Sequence, residues 1–399
     1  MGLIRKHATD LKRDDRRYLG RASEPRDLPI ASARGSRVVD VRGRSYVDFQ
    51  MGWCVGNLGW NHPDILARLR LFDGPSYVQP TMLYEPWVKL AKQLADVTPG
   101  KLVRSYRAAT GTEAVECALQ LAMHATGRTK LVSLQGAYHG NSFGAVSIGE
   151  AARLPSTLAN CKHLALPLDS RAVDRLDTLL EHRDVAAFIM EPIVLNLGVE
   201  LPAVKFLEGA RELCDRYGTL LIFDEVACGL GRTGRLFASE HTGVVPDIMT
   251  LGKALSNGHA PIAATITTAE LVDNVQDDFE FYSTYGWHPL AVEAALGTLE
   301  HWDRHGAELL VNIAQRSTQF LSRLLAMPWR RDVEVRAQGL ALAVRIDDPD
   351  YIEGVATRCR EAGVLVGAEA EYLELYPALT IDRETAGEGL DLVERAVAD

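Results

Sequence analysis

Short apolar runs that alternate with amphipathic helix patterns are the feature that most limits the possible folds of this chain. The runs are Lys130–Leu134, Ala186–Met190, Leu220–Phe223, Ile248–Leu251 and Ile262–Ile266. Helix patterns precede or separate several of them, at Trp87–Val97, Glu113–Ala125 and Val204–Tyr217. Apolar strands alternating with helices predict an α/β fold with a mostly parallel sheet covered on both faces. Functional residues of such a sheet collect at the carboxyl ends of its strands.

The two ends of the chain have a different pattern. Residues 38–49 are strand-like with a turn at Gly43, and the chain becomes helix-rich after about Pro289, with strands near Leu340–Arg345 and Leu373–Tyr376. The length of 399 residues also exceeds one ordinary domain. We therefore predict a large domain at residues 56–290 and a small α+β domain at residues 291–399. Residues 1–55 would form an N-terminal arm and part of the small domain.

The composition argues against several kinds of partner and site. The formal net charge is −10 and long basic runs are absent, which disfavours nucleic-acid binding. No apolar stretch reaches membrane-spanning length, and the charged N-terminus does not resemble a secretory signal. The six cysteines are scattered without a C-x-x-C pair, so neither a disulfide scaffold nor a zinc site is expected. We expect a cytoplasmic protein with no bound metal, no nucleic-acid partner and no membrane partner.

Two polar side chains follow neighbouring apolar runs. Asp224 comes directly after Leu220–Phe223, and Lys253 follows Ile248–Leu251 with only Gly252 between them. A buried carboxylate and a lysine at adjacent strand ends suit pyridoxal 5'-phosphate (PLP), since the lysine can form an imine with its aldehyde and the carboxylate can keep its ring nitrogen protonated. A structural aspartate and an exposed surface lysine remain the alternatives.

Two segments of the chain match only part of a nucleotide-binding motif. An apolar run followed by Asp224-Glu225 could be the acidic strand of a nucleotide hydrolase, but the lysine-serine phosphate loop that must accompany it is absent. Residues 229–234 match G-x-G-x-x-G, yet they do not directly follow the strand, and Asp247 precedes the next apolar run instead of ending it. A glycine-rich turn is the better interpretation.

Three further motifs have both a structural and a functional interpretation. Residues 109–114 open a helix, either as a capping box of Thr110 with Glu113 or as a phosphate cup built on Gly111 and Thr112. Residues 136–140 place an aromatic side chain beside glycines after a strand, where it could stack on a planar ring or simply lie on a loop. Residues 283–286 could contact a phosphate or cap the helix that begins at Pro289.

The order of these motifs carries a family resemblance. T-G-T-E-A, A-Y-H-G, E-P-I, F-D-E-V, G-K-A-L and S-T-Y-G-W-H-P occur in this order. From about Val38 to the C-terminus the chain resembles the class III, or omega-type, aminotransferases of PLP fold type I. The resemblance implies a PLP-binding large domain with a seven-stranded sheet, a smaller α+β domain and a homodimer with shared active sites. It also implies ping-pong transfer of an amino group from an amine donor to a carbonyl acceptor.

The resemblance also implies roles for individual residues. Lys253 would hold the cofactor as a Schiff base and move the proton, while Asp224 would pair with the ring nitrogen. The remaining contacts would be Val226 and Tyr138 on the two ring faces, His139 beside Tyr138, Gly111 and Thr112 at the phosphate, and Thr284 at the phosphate of the neighbouring subunit. Trp53 lies where the family's N-terminal segment borders the substrate pocket, although core packing is an equal alternative.

The departures from the family pattern concern the substrate. Ala227 stands where a glutamine is common, Asn196 where many members have a glutamate, and Glu374 where many have the arginine that grips an α-carboxylate. Asn196 and the missing arginine are similar to the glutamate-1-semialdehyde aminomutase branch. Glu374 would repel a carboxylate, so we expect an amine-bearing or polyhydroxylated substrate, with a non-α amino group on at least one substrate. An aminomutase or epimerase, and a catalytically silent binding protein with this fold, are the alternatives.

Overall fold

The computed structural model describes residues 8–21, 24–149, 160–275 and 278–398; the first seven residues of the predicted N-terminal arm lie outside these ranges. Elements are numbered in chain order. The strands are β1 (Ile30–Arg34), β2 (Arg37–Asp40), β3 (Ser45–Asp48), β4 (Leu102–Ala108), β5 (Lys130–Leu134), β6 (Cys161–Leu164), β7 (Val185–Met190), β8 (Leu220–Asp224), β9 (Ile248–Leu251), β10 (Ala263–Thr268), β11 (Glu334–Gln338), β12 (Ala341–Arg345), β13 (Val364–Leu365), β14 (Gly367–Glu369) and β15 (Tyr372–Leu375). The helices are α1 (Ala8–Tyr18), α2 (Met51–Cys54), α3 (Pro63–Arg70), α4 (Glu85–Val97), α5 (Gly111–Thr126), α6 (Phe143–Ile148), α7 (Ala172–Leu180), α8 (Val204–Tyr217), α9 (Ala269–Val275), α10 (Pro289–Ala326), α11 (Pro349–Ala362) and α12 (Arg383–Ala398).

A seven-stranded sheet in the order β4-β10-β9-β8-β7-β5-β6 occupies the larger lobe. Strand β10 pairs antiparallel with both β4 and β9, and the other strands run parallel to one another. This confirms the predicted α/β class and the mostly parallel sheet. The carboxyl ends of β5, β7, β8 and β9 therefore meet at one edge, where the chain can bring distant residues together.

Burial on both faces explains why the central strands were visible as apolar runs. Every residue of β7 is buried, and so are all residues of β9. One face of the sheet packs against α7 and α8 through residues such as Phe188, Phe206 and Leu176. The opposite face packs against α5 through residues such as Leu121 and Ile222. A strand covered on both faces needs apolar side chains in both directions, which gives a continuous run instead of an alternation.

Two smaller sheets lie outside this layer. The first, in the order β1-β2-β3-β13, combines three N-terminal strands with one short strand from the C-terminal region. The hairpin of β2 and β3 pairs Val38 with Tyr46, so its turn includes the predicted Gly43. The second sheet, β11-β12-β15-β14, is antiparallel throughout. The N-terminal and C-terminal regions thus share one sheet, while the boundaries after residues 55 and 290 stay predictions.

Helix α10 extends for 38 residues and joins the two lobes. Its first turns bury Val292, Leu296 and Leu299 in the core of the larger lobe. Its later turns bury Phe320 and Leu324 in the core of the smaller lobe. Among the described residues, no helix combines the length and apolar character that crossing a membrane requires.

Candidate active site

Asp224 is the last residue of β8 and is only 4% exposed at the edge where the parallel strands end. Its Oδ1 accepts a hydrogen bond from the Thr250 hydroxyl at 2.9 Å, across the β8–β9 pair, and another from the Val226 backbone N–H at 3.1 Å. The second bond is the local turn contact that a structural aspartate would make. Two donors and full burial hold this carboxylate in one orientation.

His139 provides the third contact of Asp224. Its Nδ1 lies 2.8 Å from Oδ2 of Asp224, and both side chains are buried. A carboxylate can only accept, so Nδ1 carries the proton and donates it. Nε2 of His139 is buried and has no hydrogen-bond partner among the described residues. The sequence placed His139 beside Tyr138 but gave no indication of its contact with Asp224.

Lys253 follows β9 after Gly252 and begins a 3₁₀ turn that ends at Ser256. Its backbone is in the left-handed region, with φ 42°, which costs energy in a residue other than glycine and is typical of functional positions. The charge of Lys253 acts on the carboxyl groups of Glu191 and Glu374 and lowers the pKa of each, against a larger effect of burial. Both carboxyl groups therefore lie within electrostatic range of Lys253.

Val226 lies between the lysine loop and the start of α5. A Cβ added at Gly111 would lie 2.9 Å from Cγ1 of Val226, and one added at Gly252 would lie 3.3 Å from the same methyl group. The Cβ added at Gly252 would also lie 3.5 Å from the Cα of Gly111. The two glycines thus let the backbone approach Val226 closely and bring the N-terminus of α5 next to Lys253.

The N-terminus of α5 combines the structural and the functional interpretation of its motif. Thr110 is the N-cap and accepts a hydrogen bond from the Glu113 N–H, while the Glu113 carboxylate accepts from the Ala109 N–H at 2.6 Å. The Thr112 hydroxyl accepts from the backbone N–H groups of Asn141 and Ser142 at 3.1 and 3.2 Å. The first helical turn leaves backbone N–H groups without helical acceptors, so a phosphate could bind beside this capping arrangement.

Tyr138 and Thr284 are exposed at the surface of this chain. Tyr138, on the loop after β5, is 41% exposed. Thr284 lies on an exposed turn before α10, and the neighbouring Tyr285 is 63% exposed. The Tyr285 ring lies 6.0 Å from that of Tyr77. Thr284 thus belongs to a surface with exposed aromatic side chains.

The segment after β7 brings two unpaired acceptor oxygens together. Glu191 follows β7 directly, and Oε1 of its buried carboxyl has no partner among the described residues. Burial raises the pKa of Glu191 to about 8, and the charge of Asp224 adds to the effect. Asn196 donates to the Gly136 carbonyl at 3.0 Å, but its Oδ1 is also buried without a partner. Hydrogen-bonding groups of a bound molecule would satisfy both oxygens.

Trp53 is held by an unusual turn of the backbone. Residues 51–54 all have positive φ, between 44° and 65°, and three of the four are not glycine. Such a conformation costs about 1–2 kcal/mol per residue with a side chain. The Asp48 carboxylate accepts from the Met51 N–H at 2.9 Å, and the side chains of Met51 and Cys54 are buried. Trp53 itself is 46% exposed, so it does not pack in the core.

Glu374 lies on β15 and is only 3% exposed. Its carboxyl group hydrogen-bonds to the Tyr376 hydroxyl and accepts from the Trp53 indole. Burial raises the pKa of Glu374 to about 7, and the two hydrogen bonds and the charge of Lys253 partly oppose this. The Tyr376 hydroxyl also lies 3.2 Å from the Leu195 carbonyl oxygen. The structure therefore brings Trp53 and Glu374 together near Lys253.

The glycine-rich turn at residues 229–234 has a structural role. Arg232 in this turn is fully buried and donates to the carbonyl oxygens of Leu340 and Pro377 at 2.9 and 2.7 Å. It also donates to Oδ1 of Asn57 at 2.7 Å. The turn thus connects the larger lobe to the loops that precede β12 and follow β15.

Four features of the site were not identified from the sequence: the contact of His139 with Asp224, and the positions of Thr250, Glu191 and Tyr376. Glu191 had a usable signal, since it follows a buried apolar strand as Asp224 does. The other three depend on pairing between strands or on loops from distant segments.

The residues of the site suit PLP as a cofactor. Asp224 offers a buried carboxylate for a protonated ring nitrogen, and the N-terminus of α5 offers free N–H groups for a phosphate. A Cβ at Gly111 would collide with Val226, so the glycine keeps the space beside Val226 open. Lys253 supplies the amine at the same edge of the sheet.

Comparison with known proteins identifies the family. The family model described as "Aminotransferase class-III" matches residues 18–397. Among solved structures, the ornithine aminotransferase of Toxoplasma gondii is 28% identical, with a TM-score of 0.90, and the match covers 100% of this chain and 95% of that chain. An amine transaminase from an uncultivated Pseudomonas species, in its PLP-bound form, is 30% identical, with a TM-score of 0.86 and coverage of 96% and 97%.

A third structure is that of the taurine:2-oxoglutarate aminotransferase of Bifidobacterium kashiwanohense, in complex with PLP and glutamate. It is 25% identical, with a TM-score of 0.91, and the match covers 98% of this chain and 97% of that chain. The family model extends over nearly the whole chain, and these matches span nearly the full length of each relative. The chain therefore belongs to the class III aminotransferases, the PLP-dependent family that its ordered motifs resembled.

Proposed function

We propose that this aminotransferase acts on at least one substrate whose reacting amino group is not α to a carboxylate. The proposal rests on the position of Glu374, a buried carboxyl group whose pKa is lowered by the charge of Lys253. An ionised carboxyl at this position repels a substrate carboxylate, and a protonated one offers it a single O–H donor in place of a bidentate cation. An ammonium or hydroxyl group would instead find an acceptor.

The surroundings of Glu374 support the same substrate class. Glu191 Oε1 and Asn196 Oδ1 are two further buried oxygens without a hydrogen-bond partner among the described residues. Asn196 Oδ1 can only accept, so a substrate that brings only acceptors, such as a second carboxylate, would leave it unsatisfied at a cost of about 1–3 kcal/mol. A polyhydroxylated amine or a diamine brings donors and would satisfy this oxygen. The three relatives are an ornithine aminotransferase, an amine transaminase and a taurine:2-oxoglutarate aminotransferase, which agrees with an amino group outside the α position.

The residues of the site would divide the work of amino transfer among them. PLP, when bound, supplies an aldehyde for amines and a ring that withdraws electrons from the reacting carbon. Asp224, held by His139 and Thr250, would keep the ring nitrogen protonated. Lys253 would hold the cofactor between turnovers and carry the proton of the reacting carbon. Gly111 and Thr112 would bind the phosphate, and Val226 and Tyr138 would enclose the ring.

Asn196 and Glu374 also support a link to the glutamate-1-semialdehyde aminomutase branch, which likewise lacks the C-terminal arginine. An aminomutase or epimerase completes both half-reactions on one molecule and turns over without an added keto acid. Ping-pong transfer between two substrates requires one. Turnover in the absence of any keto acid would therefore indicate an aminomutase or epimerase and contradict a two-substrate aminotransferase.

We also propose that the active unit is a cytoplasmic homodimer in which Thr284 reaches the phosphate site of the partner subunit. Thr284 lies among exposed aromatic side chains, including Tyr285 and Tyr282, which is 65% exposed. Leu83 is 97% exposed and follows Pro80 by three residues. The Pro80 carbonyl accepts a hydrogen bond from the Arg107 side chain, and the Arg107 backbone lies against Gly286 of the turn that contains Thr284. Apolar surface of this kind is typical of a contact between subunits. All six cysteines are free thiols, which agrees with a reducing compartment.

A half-reaction screen tests the substrate class. Purified PLP-loaded enzyme is mixed with a panel of α-amino acids, diamines, amino sugars and simple amines, and the loss of the PLP absorbance is followed for each. We expect diamines or amino sugars to react at least tenfold faster than alanine and glutamate. Efficient reaction of plain α-amino acids in both half-reactions would contradict the proposed substrate class while leaving the aminotransferase assignment intact.

Complementation between inactive subunits tests the shared site. A Lys253→Ala subunit and a Thr284→Glu subunit should each be inactive or strongly impaired alone, the second because its carboxylate repels the phosphate. Co-expression should restore activity, since one of the two sites in the hybrid dimer would then have both native residues. Absence of complementation in a hybrid shown by light scattering to be a dimer would exclude a role of Thr284 across the interface.

A further inference from the structure

A cluster of metal-ligating side chains lies where α3 meets α10, away from the cofactor site. His62 is the N-cap of α3, Asp64 lies in its first turn, and His301 projects from α10. One ligand atom from each residue lies within 4.8 Å of the corresponding atoms of the other two. The mechanism of amino transfer uses none of them.

The cluster is held in place by other contacts. Nδ1 of His301 lies 3.0 Å from Oδ2 of Asp64, and the rings of His62 and His301 are 4.4 Å apart in an edge-to-face arrangement. Arg68 of α3 forms ion pairs with Glu293 and Glu300 of α10, at 2.6 and 2.8 Å. These ion pairs fix the two helices against each other, so the three side chains approach without any ligand to draw them together.

One ring nitrogen of His62 is available to bind a metal ion. Its Nδ1 is buried and has no hydrogen-bond partner among the described residues. A neutral imidazole nitrogen with a free lone pair is the form that binds a metal ion. The Asp64 side chain is 41% exposed, which leaves a route to solvent.

We propose that His62, Asp64 and His301 form a site for a divalent first-row transition metal, for which Zn²⁺ is the natural probe. Two imidazoles and one carboxylate are a donor set that Zn²⁺ accepts, with water in the fourth position. In a tetrahedral site with bonds of about 2.0–2.1 Å, neighbouring ligand atoms lie roughly 3.4 Å apart, so small side-chain rotations would close the site. The ion would fasten α3 to α10.

This proposal departs from the expectation, made from the sequence, that no metal is bound. That expectation relied on the scattered cysteines, whereas the ligands proposed here are two histidines and an aspartate from two distant segments. Only His62 and Asp64 are close in sequence, so their spacing alone carries little signal. The proposal does not depend on the substrate or on the proposed function.

The test uses the holoenzyme without a histidine tag, treated with chelator and freed of unbound PLP by gel filtration. Titration with ZnCl₂ is followed by calorimetry, and thermal unfolding is measured with and without the ion. We expect one Zn²⁺ per chain, with a Kd in the micromolar range or below, and a Tm that rises by a few degrees.

Variants separate this site from unspecific binding. Asp64→Asn and His301→Gln should each raise the Kd at least tenfold, while the exposed His182→Gln should bind as the wild type does. Amino transfer should continue in all three. Unchanged Zn²⁺ affinity in Asp64→Asn or His301→Gln, or no saturable binding by the wild type, would overturn the proposal.

If a ligand variant fails to fold, the wild type still decides the question. Co²⁺ in a four-coordinate site of nitrogen and oxygen ligands gives visible absorption bands that octahedral aqueous Co²⁺ lacks in comparable strength. We expect these bands to saturate at one Co²⁺ per chain and to disappear on addition of ZnCl₂. Bands that never exceed those of free Co²⁺ would contradict the site.

Discussion

His139 and Asp224 form a buried pair, with Nδ1 of the imidazole 2.8 Å from Oδ2 of the carboxylate. The contact joins the loop after β5 to the end of β8, across the intervening strand β7. Together with Thr250 it leaves the carboxylate no freedom to rotate. In the proposed mechanism the imidazole would therefore act through Asp224 and position it for the ring nitrogen of PLP.

Replacing His139 should weaken both cofactor binding and turnover. His139→Leu removes the donor to Asp224, and we expect PLP affinity and kcat/KM to fall by about 10–100-fold, as for residues that orient a ligand. His139→Asn can still donate from a similar position and should recover part of the loss. PLP titration followed by absorbance, together with steady-state rates, checks this. Equal PLP affinities of the His139→Leu variant and the wild-type enzyme would show that the pair of His139 and Asp224 is only structural.

Lys253→Ala should abolish multiple turnover, with a loss of about 10⁴-fold or more, because the proton carrier is removed. Its PLP should dissociate on gel filtration, and borohydride should no longer fix the cofactor to the chain. Lys205→Ala on α8, an exposed lysine, is the matched control and should behave as the wild type. Normal multiple turnover by Lys253→Ala would refute the catalytic assignment.

Glu374→Arg should change the preferred substrate. The guanidinium would replace a carboxyl group with a bidentate donor for carboxylates, so we expect kcat/KM for α-amino acid donors to rise at least tenfold relative to amines. Glu374→Gln removes the charge without adding a cation and should show a smaller change. A donor profile of Glu374→Arg identical to that of the wild type would indicate that residue 374 does not face the substrate.

The pKa of Glu374 also predicts a pH dependence of stability. Burial raises this pKa from 4.5 to about 7, so the folded state binds more protons than the unfolded state between these values. The stabilising contribution is fully present below pH 4.5 and is lost as the pH rises through 7. Glu374→Gln stays neutral, and its stability relative to the wild type should increase from pH 5 to pH 8, by up to roughly 3 kcal/mol.

Thermal unfolding at a series of pH values measures this difference. Other titrating groups are common to both chains, so their contributions cancel to first order. Curves of Tm against pH that run parallel for wild type and Glu374→Gln would show that the carboxyl group is not kept protonated by the fold.

Gly140→Ala should damage the phosphate region. Gly140 has φ +133°, and an added Cβ would collide with Thr112, lying 2.9 Å from its Cα. We expect a cost of about 1–3 kcal/mol and weaker PLP binding, because Thr112 and the start of α5 must shift. Gly127→Ala has a similarly left-handed backbone, but its Cβ would meet no atom within 4 Å. It should cost about 1 kcal/mol and leave PLP affinity unchanged.

The central strands were predictable because each is buried on both faces. The run Lys130–Leu134 coincides with β5, and the runs ending at Met190 and Leu251 coincide with β7 and β9 to within one residue. Strand β4 was missed, since Arg104 and Arg107 interrupt its apolar pattern at the edge of the sheet. Strand β6, at the opposite edge, contains Lys162 and His163, and only its last residue, Leu164, is buried. Edge strands face solvent and carry no continuous apolar signal.

The strand ends made Asp224 and Lys253 recognisable, but the contacts around them were not. His139 reaches Asp224 across 85 residues of sequence, a pairing that no local spacing encodes. Trp53 reaches Glu374 because residues 51–54 adopt a left-handed turn, which propensity would not assign to methionine, tryptophan or cysteine. Local pattern thus identified the two groups proposed for the chemistry, while tertiary packing determines which side chains surround them.

The continuity of α10 affects how chimeras of this enzyme should be built. At 1.5 Å per residue its 38 residues span about 57 Å, and its two ends belong to different hydrophobic cores. A crossover at Pro289 would join the first turns of a foreign helix to the native packing partners of Leu296 and Leu299. A crossover among residues 303–308, all of which are exposed or half-buried, would keep Leu296 and Leu299 in their native core. Ala294 and Trp302 would then be the helix residues separated from the later part of the core to which they belong.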